Sequence, residues 1–145
     1  MRRVMKSEEI FRRVREVVAR ELGIETRDIA WESRLVTDLG AEKTDLLDLV
    51  FRLQREFKMD TIPAGHLFPK LTHEMTDAEG ALTGKGVGLL LVGAKEASLA
   101  HLDLEPGKRL EDLQTVGMLC RYVRDRFTDL DTAFAVGNLD LGGEG

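Results

Sequence analysis

Residues 38–57 read Asp38-Leu39-Gly40-Ala41-Glu42-Lys43-Thr44-Asp45-Leu46-Leu47-Asp48-Leu49-Val50-Phe51-Arg52-Leu53-Gln54-Arg55-Glu56-Phe57. From Glu42 onward, Leu46, Leu47, Leu49, Val50, Leu53 and Phe57 recur at helical spacing on one broad apolar face, with Asp45, Asp48, Arg52, Arg55 and Glu56 around the rest. That period predicts an amphipathic helix from Glu42 to Phe57, which must bury its apolar face against another element.

A first partner lies upstream. Ile10, Phe11, Val14, Val17, Val18 and Leu22 form a second apolar stripe, opposite Arg12, Arg13, Arg15, Glu16 and Arg20. Ser7 followed by Glu8 and Glu9 reads as an N-cap with acids in the first turn, where the helix dipole favours them. Gly23 is placed to end the helix in a left-handed conformation. Between the two helices, residues 24–40 hold isolated apolar positions, Ile29, Trp31, Leu35, Val36 and Leu39, without a sustained period. They predict a long loop pinned to the core, with Trp31 as a plug over it.

A second partner lies downstream, where Val116, Leu119, Cys120, Val123 and Phe127 give a third helical stripe behind Thr115 as N-cap. The intervening residues 64–112 are richer in glycine. Thr76-Asp77-Ala78-Glu79 fits a capping box and predicts a short helix from Asp77, interrupted by Gly84, Gly86 and Gly88. Residues 87–102 predict a further helix with Leu89, Leu90, Val92 and Leu99 inward, and Glu105-Pro106-Gly107 predicts a turn. Thr61-Ile62-Pro63 and Phe68-Pro69 break regularity. The stretch 128–145 carries too little apolar content to order itself and is expected to be mobile. The whole reads as one all-α domain over 1–127, with a core of 6–63 and 113–127 and a mainly helical insert, 64–112, before the last helix.

Composition narrows the chemistry. At 145 residues a sizeable core can form. With 21 Lys plus Arg against 26 Asp plus Glu, the net charge of −5 offers no global field for a nucleic-acid backbone. The lone Cys120 excludes an intramolecular disulfide or a thiolate metal site and fits a reducing cytoplasm; on the last stripe it reads as a buried small hydrophobe. The apolar run 87–94 is far short of the roughly 20 residues a membrane span needs. The N-terminal residues do not read as a secretion signal. Gly80-Ala81-Leu82-Thr83-Gly84-Lys85-Gly86 fails the phosphate-loop spacing and lacks the hydroxyl residue after its lysine. His66, His73 and His101, with Glu74 or Asp103, match no metal-ligand spacing and have no nucleophile beside them, so neither a metal site nor a catalytic residue is expected.

Leu22-Gly23-Ile24, the Asp38-Leu39-Gly40-Ala41 close of the loop, the acidic-apolar helix running into Glu56-Phe57, and Ile62-Pro63 together resemble the acyl carrier protein family. The stretch 113–123, with its Thr115-Val116 and Tyr122, is similar to that family's last helix. The resemblance implies a helical carrier bundle that docks acyl-handling enzymes of fatty-acid, lipid or polyketide synthesis, such as a ketosynthase, dehydratase or acyltransferase. It further implies that Glu42, Asp45 and Asp48 dock those partners, with Arg52 and Arg55 diluting the acidic face.

The family carries 4′-phosphopantetheine on the serine of an Asp-Ser-Leu triplet, and the matching residues here are Glu42-Lys43-Thr44. Lys43 supplies no oxygen nucleophile, and its charge at a helix N-terminus is unfavourable by about 0.3–1 kcal/mol. Thr44 has a hydroxyl, turned by about 100° around the helix and crowded by its β-branch. Three expectations follow: a partner-docking homologue without the arm, and therefore without a cofactor; a working carrier modified at a nonstandard residue such as Thr44; and, weaker, a noncovalent acyl-chain binder. A cytoplasmic monomer is expected in each case.

Overall fold

The computed structural model describes residues 5–59, 67–93 and 102–125. In chain order they form α1 (Ser7–Leu22), a 3-10 turn at Thr26–Asp28, α2 (Lys43–Glu56), a 3-10 turn at His73–Met75, α3 (Gly84–Gly93), the single turn α4 (Leu110–Leu113) and α5 (116–125). No strand forms among the described residues, which pair as β structure only in two isolated bridges, Arg34 with Thr115 and Thr76 with Leu82. The all-α expectation holds. No described helix is long and apolar enough to cross a membrane.

The α1 stripe works as its spacing implies: Ile10, Val14, Val17 and Val18 are buried, with Phe11 and Leu22 packed partly against the same core. Its start differs. Ser7 is the first helical residue, and the extended residue before it, Lys6, offers no capping side chain. The acids Glu8 and Glu9 are what favour that end, through the dipole. At the other end Gly23 takes φ 70°, and the Ile24 N–H reaches the Ala19 carbonyl at 3.1 Å.

In α2, Leu46, Leu49, Val50 and Leu53, followed by Phe57, are buried. Leu47 departs from the expectation: it is 48% exposed, because one residue on from Leu46 the helix has turned about 100°, away from the buried side. Arg13 of α1 fastens the far end of α2. Its Nε donates to Glu56 Oε2 at 3.0 Å, its Nη2 donates to the Glu56 carbonyl at 2.8 Å, and its guanidinium lies 4.5 Å above the Phe57 ring. A cation therefore meets a carbonyl left unpaired at a helix C-terminus and an aromatic face at once.

Helix α5 closes the main core with Val116, Leu119, Cys120 and Val123, joined by Met118 and Tyr122. Thr115 caps it as expected, its Oγ1 accepting the Met118 N–H at 3.1 Å. Buried Gln54 donates to the Tyr122 hydroxyl at 3.5 Å, so the polar residue on the inner face of α2 is satisfied across the core. Phe127, Leu99, Ile62-Pro63 and the stretch 128–145 lie outside the described residues.

The insert differs most from its sequence reading. No helix starts at Asp77. Its Oδ1 instead accepts the N–H groups of Glu79 and Ala81, both at 2.9 Å, and a turn closes with Gly80 at φ 86°. A short carboxylate bonding its own following backbone outcompetes the helix. The glycines at 84, 86 and 88 begin α3 rather than interrupting one, with Thr83 Oγ1 accepting the Gly86 N–H at 3.0 Å as the cap. Close approach explains one of them: a Cβ on Gly86 would stand 2.1 Å from the Met75 carbonyl oxygen. Of the residues expected inward, Leu90 is buried, whereas Leu89 and Val92 are exposed. Leu90 joins Met75, Leu82 and Leu110 in a small second core, and Leu102 packs against both cores. The turn at Glu105-Pro106-Gly107 forms, with the Lys108 N–H on the Glu105 carbonyl at 3.2 Å.

These contacts set opposite signs for two alanine substitutions in one helix. Gly86→Ala is expected to lower stability by about 1–3 kcal/mol, since Met75 backbone must move. Gly88→Ala meets nothing within 4 Å and is expected to raise stability by about 0.5–1 kcal/mol. Urea unfolding of both variants checks this, and equal effects would mean α3 does not rest on Met75.

Candidate functional site

The candidate site is the start of α2, and the loop before it decides where that start points. Trp31, Ser33 and Leu35 pair with the beginning of α5: the Val116 N–H donates to the Ser33 carbonyl at 3.0 Å, Gly117 N–H to the Trp31 carbonyl at 2.9 Å, and Leu35 N–H to the Gln114 carbonyl at 3.0 Å. The Trp31 indole lies over Gly117, where a Cβ would stand 2.4 Å from Nε1. Phe11 packs against that ring at 5.7 Å between centroids, tilted by 58°. Trp31 is thus the plug the sequence implies.

A charged cluster holds the second half of the loop. Arg34 donates Nε and Nη2 to the two carboxylate oxygens of Asp38, each at 3.0 Å, and Nη1 to Asp112 at 3.2 Å. The hydrogen bonds and charge of Arg34 hold the Asp38 carboxyl below the ordinary aspartate range, and Asp38 in turn raises Arg34. From this anchor the Ala41 N–H returns to the Leu35 carbonyl at 2.9 Å, which delivers Glu42 to the helix start.

Glu42 is the extended N-cap of α2, and its N–H donates to Asp45 Oδ2 at 2.8 Å. Asp45 therefore helps to build the helix start as well as facing solvent in part. Lys43 and Thr44 occupy the first two helical positions, both exposed. Asp48 is exposed one turn on. The sequence-derived docking residues separate here: Glu42, Asp45 and Asp48 gather at the N-terminal half, and Arg52 and Arg55 stand on the C-terminal half. Arg52 pairs with Glu21 of α1.

Two apolar residues missed as surface features complete this face. Phe51 is 58% exposed and stands four residues after Leu47, so the two side chains adjoin on the outside of α2. The signal was available, since Leu47 and Phe51 fall off the stripe that Leu46, Leu49, Val50 and Leu53 define.

The other candidates disperse. His73 is exposed, Glu74 pairs with Lys85 at 2.8 Å, and Asp103 with Lys108 at 2.6 Å; His66 and His101 lie outside the described residues. No group of three or more His, Cys, Asp or Glu is placed to hold a metal ion among the described residues. Cys120 is buried, and burial pushes its thiol up to about 12.

Residues 12–68 match the family model described as "Phosphopantetheine attachment site". The chain is 40% identical to the acyl carrier protein of Thermotoga maritima over 50 residues, which is 34% of this chain and 62% of that protein. It is 35% identical to the acyl carrier protein of Clostridium acetobutylicum over 51 residues, 35% of this chain and 66% of that protein. The match thus spans less than two thirds of either relative's own length. No solved structure matches the chain.

Two outcomes follow. Asp38, with its carboxyl lowered in the folded state, stabilises above the ordinary aspartate pKa, and that contribution is lost as the pH falls through the lower folded value. Asp38→Asn is expected to flatten this acid limb of a stability-versus-pH curve followed by circular dichroism. Cys120, as a thiol near neutral pH, is expected to resist alkylation in the folded protein and to label on unfolding. Fast labelling of folded protein would place it outside the core.

Proposed function

We propose that the chain, through residues 12–68, is an acyl carrier protein homologue, and that it is a non-enzymatic docking protein that meets acyl-handling enzymes without bearing the 4′-phosphopantetheine arm. One observation carries this reading: an exposed lysine, Lys43, stands on the first turn of α2 where the arm needs a serine hydroxyl. A phosphodiester requires an oxygen to form on, and an ammonium side chain has none. The residues present at 43 therefore do not fit the covalent group, although the helix N-terminus around them would favour its phosphate.

The rest of the face supports docking. Glu42, Asp45 and Asp48 offer negative charge at the end of α2 where the dipole also stabilises it, and Leu47 with Phe51 gives the adjoining apolar patch that a protein interface needs at its centre. A ketosynthase, dehydratase or acyltransferase with a basic patch around an apolar dimple has the complementary surface. In the domain reading proposed here, 6–63 and 113–127 form the docking core of one domain and 64–112 its insert, on a cytoplasmic monomer.

A second reading rests on Thr44, whose exposed hydroxyl bonds no described residue. In that reading the chain is a working carrier with the arm one position along. The weaker acyl-binder reading has less support, because the groove beside α2 is lined by Arg20, Arg52 and Arg55, a poor surface for a hydrocarbon chain.

Intact mass spectrometry separates these readings. Wild-type protein incubated with coenzyme A and a broad-specificity phosphopantetheinyl transferase is expected to gain no mass, and Lys43→Ser with Thr44→Leu to gain one arm. A one-arm increase on the wild type would overturn the docking reading and direct fragmentation to Thr44. Thermal melts with fatty acids or acyl-coenzyme A are expected to be flat.

A further inference from the structure

Along the seam between α1 and α2, beyond the face just described, lies a groove of about 300 Å³ lined by Val17, Arg20, Arg52, Arg55 and Glu56. Its charge is the reverse of the chain's. One carboxylate, Glu56, lines it beside the three guanidinium groups and is held by Arg13 at 3.0 Å, and Arg52 is paired with Glu21, whose side chain is only 9% exposed. Arg20 and Arg55 are exposed and have no carboxylate partner among the described residues.

Each arginine has an ordinary reason to be where it is, since both stand in the last turn of a helix, where positive charge is favoured. The dipole does not, however, require the two last turns to line one groove. Arg20 and Arg55 line one groove, and neither is paired with a carboxylate among the described residues, so an incoming anion would meet two unpaired guanidinium groups.

We propose that this groove is a docking site for the acidic side chains of a protein partner, with Arg20 and Arg55 each taking a carboxylate. Guanidinium forks match carboxylates in geometry and hydrogen bonding. The engaged Glu21 and Glu56 argue for single carboxylates over a phosphate, whose denser charge would sit against both. A membrane or a nucleic acid presents an extended anionic surface that would also meet the acids at the start of α2, which isolated carboxylates on a protein partner need not. The proposal does not depend on Lys43, on Thr44 or on the acids at the start of α2.

The test titrates full-length protein at low salt with a 20-residue Glu/Ala-rich helical peptide, and with the same peptide carrying Gln for Glu. The Glu peptide is expected to bind, with amide shifts centred on Val17, Arg20, Arg52 and Arg55, and the Gln peptide not to bind. Arg20→Gln with Arg55→Gln is expected to weaken binding at least about tenfold, equivalent to about 1.4 kcal/mol. The control Arg12→Gln with Arg27→Gln, which alters exposed arginines elsewhere, is expected to leave it within about twofold. Unchanged melting temperatures for both variants keep the comparison free of unfolding.

Equal loss in the control, or no binding up to about 1 mM peptide, would overturn the proposal. Tighter binding of inorganic phosphate, or of phosphatidylglycerol vesicles, with shifts at the same residues would also overturn it and reassign the groove. None of these outcomes bears on the transferase experiment, so the two readings fail separately.

Discussion

The backbone pairing of the 31–35 segment with the start of α5 is the constraint on which the rest of the structure depends. A loop of this length between two helices carries a large conformational entropy, roughly 1–2 kcal/mol for each residue ordered, and its own sparse apolar residues cannot offset that alone. Three backbone hydrogen bonds, the Trp31 indole over Gly117, and the Arg34 fork on Asp38 and Asp112 supply the missing order. Buried Ile29 and Leu35 add the apolar share. Because the loop delivers Glu42 to the head of α2, the geometry of the site is set by residues more than sixty positions further along the chain. The insert is inside this circuit, since Asp112 belongs to α4 and Leu102 reaches both cores.

The charges on α2 follow from one rule and lead to two surfaces. Acids at its N-terminal end and arginines at its C-terminal end both complement the macrodipole, so the polarity of the helix stabilises itself. The same polarity gives the outer side a negative half, a small apolar centre at Leu47 and Phe51, and a positive half that merges with Arg20 of α1. A partner that recognised only negative charge would find half of this face opposed to it. Specificity arises as much from such mismatches as from attraction.

The main bundle was legible because long, strongly periodic stripes leave few alternatives: α1, α2 and the cap at Thr115 stand where their residues imply. What the sequence concealed were decisions between local and nonlocal forces. Thr76-Asp77-Ala78-Glu79 satisfies a capping rule, yet Asp77 finds better partners in its own turn, and Gly80 accommodates the positive φ that turn requires. The glycines of α3 look like breakers by propensity, at up to about 1 kcal/mol each, but Gly86 is needed for contact with Met75, a partner no local pattern reveals. Leu47 counted as core because an apolar residue beside an apolar stripe is ambiguous by one helical step. At the site itself, Lys43, Thr44 and the three acids were readable from position alone, whereas the placing of Arg20 and Arg55 on one groove needs the packing of α1 on α2.

Position 43 is physically uncoupled from the fold. Lys43 is exposed, and its side chain takes no part in the core, the loop anchor or the helix cap, which is made by Asp45 and the Glu42 backbone. A lysine there costs at most the small dipole penalty, an order of magnitude below the total stability of a domain this size. The scaffold therefore exerts almost no selection on the one residue that would decide covalent carriage, and its integrity says little about whether an arm is borne. The outer face is different. Glu42, Asp45, Leu47, Asp48 and Phe51 are displayed by the same helix whose inner side closes the core, so that surface persists for as long as the fold does. Covalent carriage and surface recognition are thus separable by a single substitution, because the two would be stored in different physical terms.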